Sequence, residues 1–134
     1  MNDIINNIAN KDRAIGWIVS QMYCCAKEEK WYPAIASLFM LLEQVLRWAT
    51  DSKDEDTLNV IINKAKKDSL IAESEAETLH RVREYRNMYM HSNFHENQFE
   101  IDGLLYPVND EETAEAIFNS ICTPCLNIIL KLMV

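Results

Sequence analysis

Arg86, Asn87 and His91 stand close together in the run Arg86-Asn87-Met88-Tyr89-Met90-His91, an arginine-asparagine pair and a histidine spaced R-N-x-x-x-H. Histidine titrates near neutral pH and moves a proton at a reacting oxygen. Arginine carries a permanent planar charge suited to phosphate oxygens. An asparagine beside them supplies both a donor and an acceptor. A base, a fixed cation and an orienting amide suffice for chemistry at a phosphodiester without a metal ion. In that chemistry His91 takes the proton of a ribose 2′-hydroxyl and the freed oxygen attacks the adjacent phosphorus in line. Arg86 holds the non-bridging oxygens as charge builds, and Asn87 orients His91 or the phosphate.

Such a set works only on a backbone that holds it. The spacing predicts a helix over residues 74–90, opened by Ser74-Glu75-Ala76-Glu77 as a capping box. At ~100° per residue Asn87 and His91 share one face, with Arg83 a turn earlier as a candidate substrate-backbone contact. Arg86 is one residue out of step, beside Val82 and Tyr89, so it either borders the site or reaches inward. The inward alternative is an ion pair with Glu43, whose loss would damage folding and mimic loss of activity. For His91 the plainer alternative is a helix C-terminal histidine favoured by the dipole. Tyr85, Met88, Tyr89 and Met90 serve either core or dimer packing, or stacking on bases.

The rest of the chain reads as helices around this one. Ile4, Ile5, Ile8, Ile15, Ile18, Val19 and Met22 predict one helix over residues 3–27, where Gly16 either weakens it or permits close packing. Trp31-Tyr32-Pro33 is a break, and Pro33 opens a second helix whose stripe of Ile35, Leu38, Phe39, Leu42, Val45, Leu46 and Ala49 marks a central element. An acidic link over 51–56 leads to a third helix over 56–67, with Leu58, Ile61, Ile62 and Ala65 inward. Residues 98–108 alternate around Asp102-Gly103 as a short hairpin. Asn109 or Asp110 caps a final helix carrying Ala114, Ile117, Phe118, Ile121, Leu126, Ile129 and Leu132, kinked or restarted at Pro124. The expectation is one all-α domain spanning residues 1–134, a bundle of about five helices.

Bulk properties narrow the functions. With 2 Gly, 3 Pro and 49% hydrophobic residues, the chain favours long helices around a substantial core. Thirteen basic against 21 acidic residues, a net of -8, argues against a general nucleic-acid binder. The basic residues nevertheless cluster, with His80, Arg81, Arg83, Arg86 and His91 against Glu84, which suits brief and selective contact with RNA. Glu43 and Gln44 interrupt the most apolar stretch, so no membrane span is expected, and the N-terminus lacks the pattern of a signal peptide. The expected location is cytoplasmic, with the four cysteines reduced. Cys122-Thr123-Pro124-Cys125 is half of a zinc pattern without its second half. If Thr123-Pro124 restarts a helix, Cys125 sits in its first turn with a lowered thiol pKa; otherwise these are core thiols. His91 and His95 have the spacing of a helical metal pair but no nearby carboxylate to complete it, and no metal or other cofactor is expected.

The Arg86-to-His91 motif resembles that of the HEPN superfamily, compact α-helical domains whose catalytic members are metal-independent endoribonucleases with an R-x4-6-H motif. Here four residues separate the two, and the polar Asn87 follows the arginine as in the common form. The long helix containing Leu42-Glu43-Gln44-Val45-Leu46-Arg47 is similar to the helix paired with the family's motif helix. The resemblance implies a homodimer with a composite cleft, an RNA substrate, and a toxin, phage-defence or RNA-processing setting, often beside a nucleotidyltransferase antitoxin. Some toxin branches continue as H-x-Y, whereas this chain reads His91-Ser92-Asn93. Two other function classes compete. One is a HEPN-like dimer that binds RNA or protein and cuts nothing. The other is an interaction module docking a partner helix, signalled by an exposed Trp31 or Trp48 in place of a basic cleft.

Overall fold

The computed structural model describes residues 2–90, 98–101, 103–107 and 110–133. In chain order these form α1 (Asn2–Lys11), α2 (Arg13–Lys27), α3 (Trp31–Thr50), α4 (Leu58–Lys67), α5 (Glu73–Met90), β1 (Gln98–Ile101), β2 (Leu104–Pro107) and α6 (Glu111–Leu132). The fold is all-α, with one antiparallel hairpin before the last helix.

The apolar period over residues 3–27 belongs to two helices, not one. Asp12 is extended (φ -149°, ψ 116°), and its carboxylate accepts the Ile15 N–H at 3.0 Å, capping α2. The isoleucines on both sides still face one core because α1 folds back on α2. Gly16 permits that fold: a Cβ there would lie 2.5 Å from Ala9 Cα.

α3 is the central element and packs chiefly on α6 and α2. It opens at Trp31, two residues before the expected start, so Pro33 occupies the first turn, where the N–H that proline lacks would have had no intrahelical acceptor. Ile35, Leu38, Leu42, Val45 and Leu46 are buried, as the stripe predicts. The helix ends at Asp51 in the left-handed region (φ 50°), and Lys64 Nζ donates to the Thr50 carbonyl at 2.6 Å.

α6 is continuous through Pro124, so the expected restart is absent and Cys125 is not in a first turn. Cys122 and Cys125 are buried, and burial pushes their thiols up to about 11 and about 12. They are core thiols. Asp110, one of the two expected caps, accepts the Glu112 N–H. α6 is also the one helix among the described residues long and apolar enough to cross a membrane by length and composition, contrary to expectation. Over half of its most apolar stretch is buried in the bundle, where it packs on α3.

α4 and α5 form an antiparallel pair on the side of α3. Leu58, Ile61, Ile62 and Ala65 are the buried positions of α4. The capping box of α5 lies two residues earlier than Ser74: Glu75 reaches back to the Ala72 N–H at 2.7 Å. The same carboxylate meets Lys131 Nζ at 2.6 Å, tying the start of α5 to the end of α6. In the hairpin Gln98 pairs with Pro107 and Ile101 with Leu104, and Gly103 in the turn has φ 81°, a conformation glycine adopts without strain.

Candidate functional site

The last turns of α5 bring three of the four candidate residues together. Arg83, Arg86 and Asn87 line an open polar cleft with Glu43 and Arg47 of α3 and Thr57, Leu58 and Asn59 at the start of α4. His91 follows Met90, the last residue of α5, in the chain and lies outside the described residues, as does His95.

Arg86 both reaches inward and borders the site. Its Nη2 lies 3.1 Å from Glu43 Oε2, and its Nη1 donates to Asn87 Oδ1 at 3.3 Å. The ion pair is half-buried: the side chains are 26% and 18% exposed, so the guanidinium still forms part of the cleft wall. Asn87 thus turns its oxygen to Arg86 and keeps its NH2 as the donor end.

Glu43 serves a second arginine. Its other oxygen, Oε1, lies 3.0 Å from Arg47 Nη2, one helical turn along α3. Arg47 also donates to the carbonyls of Lys53 and Asp56, at 3.0 and 2.9 Å. It therefore fastens the 51–57 link to α3, and the hydroxyls of Thr50 and Ser52 pair beside it. One carboxylate against three arginines leaves the cleft with an excess of two positive charges on a chain of net -8. That excess is a local attraction for an anion.

Further down the α4–α5 seam, His80 Nε2 lies 3.1 Å from Asn63 Oδ1. Burial, then the neighbouring Arg83, lowers the His80 pKa from its ordinary value, with Glu84 opposing and Lys66 adding to the effect. His80 Nδ1 and Arg83 Nε are buried without a hydrogen-bond partner among the described residues.

An apolar groove adjoins the cleft. It has a volume of about 210 Å³ and runs between α3 and α5, walled by Tyr32, Phe39, Met40 and Tyr89, with Glu43, Gln44 and Arg86 at its polar end. Tyr89 packs against Tyr32 and Phe39, with ring centroids 5.8 and 6.2 Å away, and burial pushes its hydroxyl up to about 12. α3 thus meets the motif helix through these side chains, while its backbone packs closest to α6 and α2. Tyr85 is a core residue, and Met88 packs against the core. Of the two tryptophans singled out, Trp48 is 67% exposed, whereas Trp31 is half-buried against Phe118.

Sequence reasoning identified Glu43 as a partner for Arg86 but missed Arg47, Thr57 and Asn59. The i, i+4 spacing of Glu43 and Arg47 was a usable signal for the first of these; the other two depend on the path of the 51–57 link. Among the described residues no three His, Cys, Asp or Glu side chains converge as a metal site. Compared with protein-family models, curated proteins and solved structures, the chain matches none.

Proposed function

We propose that this chain is a HEPN-like, metal-independent endoribonuclease that acts as a homodimer. The observation that carries the reading is Arg86, held by Glu43 and Asn87 on the wall of a cationic cleft and five residues before His91 in the chain. A guanidinium fixed in this way meets a phosphate with little reorganisation. Arg83 adds a contact to the nucleic-acid backbone. His91 takes the 2′-hydroxyl proton, the 2′-oxygen bonds to phosphorus, and the 5′-oxygen departs with a proton from water. The products are a 2′,3′-cyclic phosphate and a 5′-hydroxyl. The restricted size of the cationic patch fits transient engagement of RNA in a toxin, phage-defence or RNA-processing setting, with a protein antitoxin as a further partner.

A second reading is a HEPN-like dimer that binds RNA or protein without cutting. It is favoured by the commitment of Arg86 to an internal ion pair and by the exposed Tyr32, Met40 and Trp48 along α3. Incubating cellular RNA in excess EDTA with wild type, His91→Ala and Arg86→Ala, each confirmed folded by circular dichroism, separates the two. Cutting by wild type alone is the expected result. Equal cutting by the folded variants overturns the assignment of the site, and cutting by none favours the binding module.

A further inference from the structure

The polar cleft and the apolar groove are lined by two residues in common, Glu43 and Arg86. A ligand with a phosphate at Arg86 therefore has an apolar recess directly beside that phosphate. The recess is narrow. At about 210 Å³ it falls below the range of roughly 300 Å³ and upward that holds a drug-sized ligand. It suits one planar ring system.

Its walls are of the kind that holds a base. Tyr32 is 59% exposed and Met40 53% exposed, so both present surface to a ligand, while Phe39 and Tyr89 behind them are packed in place. Tyr32 stands at 71° to the Tyr89 ring, an edge-to-face contact that supports its orientation. Gln44, at the polar end, offers a donor and an acceptor on one amide. Electrostatics set the direction: the groove opens from the cationic cleft, so the charged part of a ligand lies toward Arg86 and its apolar part toward Tyr32.

We propose that this groove seats a single unstacked nucleobase of a single-stranded RNA whose adjoining phosphate lies at Arg86, with Tyr32 and Met40 as the stacking surfaces. The inference rests on the ribonuclease reading and adds to it a substrate class: the base next to the bound phosphate is unpaired. A base within a duplex cannot enter the recess, so paired RNA is discriminated against without any contact to sequence. Gln44 is the group that distinguishes one base from another.

The test uses the full chain carrying His91→Ala, so that binding is read apart from cutting. Its affinity for a 2′-O-methylated single-stranded RNA is measured by fluorescence anisotropy, alone and with Tyr32→Ala or Tyr32→Phe added. The same RNA annealed to its complement is the control, and light scattering follows the oligomeric state. Loss of one base-stacking ring weakens binding by roughly 5- to 150-fold. The expected result is a loss of that order for Tyr32→Ala on the single strand, restoration to within about 2-fold by Tyr32→Phe, and no change on the duplex, with the oligomeric state constant. Undiminished single-strand binding by Tyr32→Ala overturns the inference even if the wild type proves to be a ribonuclease. A change of oligomeric state with Tyr32→Ala also overturns it, because the groove then belongs to a contact between copies. The expected pattern in a protein that never cuts RNA leaves the base site standing and removes only the catalytic reading.

Discussion

Glu43→Gln leaves Arg47 and Arg86 facing each other across a neutral amide, since each now meets one of the two Glu43 oxygens. The side chains of the Arg86–Glu43 pair are 26% and 18% exposed, between the solvent-screened and the buried cases. Exposed pairs contribute about 0–1 kcal/mol, and breaking a buried one costs about 3–5 kcal/mol. With two arginines losing their shared carboxylate at once but keeping their bonds to Lys53, Asp56 and Asn87, the expected cost of Glu43→Gln is about 2 kcal/mol. For a chain of 134 residues the entropy of unfolding converts that to a Tm lowered by about 7 °C. Arg86→Met costs less, about 1 kcal/mol, because Glu43 retains Arg47. A double-mutant cycle between the two positions, read by urea denaturation, returns a coupling of about 1 kcal/mol. Both variants remain folded at 25 °C if the parent has the ordinary 5–15 kcal/mol of stability. Loss of cutting by Arg86→Met would then report lost phosphate contacts and not unfolding. A Tm lowered by less than about 2 °C for Glu43→Gln, with coupling near zero, refutes the argument that Glu43 holds Arg86 in position.

Three further perturbations follow from the packing and the titrating groups. Gly16→Ala places a methyl group 2.5 Å from Ala9 Cα, and the overpacking cost of about 1–3 kcal/mol outweighs the helix-propensity gain of about 1 kcal/mol. Urea midpoints therefore fall, and a rise would show that α1 can move off α2 freely. His80 has a pKa below the ordinary 6.5 in the folded state, so the unfolded chain binds the extra proton first, and stability present above about pH 6.5 declines as pH falls below it. His80→Gln reduces the difference in urea midpoint between pH 7.5 and pH 5.5; an unchanged difference contradicts the assignment. Cys122 and Cys125 keep their protons to about pH 11 and 12 when folded, against 9.0 ordinarily, so stability declines as pH rises above about 9. At pH 7.5 mass spectrometry finds iodoacetamide on the exposed Cys24 and on neither core thiol until the protein is unfolded; labelling of native Cys125 refutes its burial.

The central packing was legible because α3 and α6 have broad apolar stripes, and every inward position named on the final helix is buried. The break at Asp12 was not, because the isoleucines before and after it keep a common spacing while the chain turns back on itself. The start of α5 was misplaced because an alanine, Ala72, takes the cap position and only the Glu75 half of the box operates. Arg86 showed its two directions in the sequence, being out of phase with Asn87 by one residue, and the fold realises both of them. What no periodicity could supply was the route of the 51–57 link. Arg47 fixes it by bonds to two of its carbonyls, and it carries Thr57 and Asn59 to the cleft. The apolar groove was similarly hidden, because Tyr32 and Tyr89 are far apart in sequence and meet only when α3 and α5 pack.

The claim that an RNA 2′-oxygen is the nucleophile is tested most directly by a single atom in the substrate. Once a cleavage site has been mapped on a short RNA in excess EDTA, the nucleotide on its 5′ side is replaced by the 2′-deoxy form. The account predicts that cutting at that bond disappears while other bonds in the same strand are still cut, each leaving a 2′,3′-cyclic phosphate. Continued cutting at the deoxy position would make water the nucleophile and contradict the role given to His91.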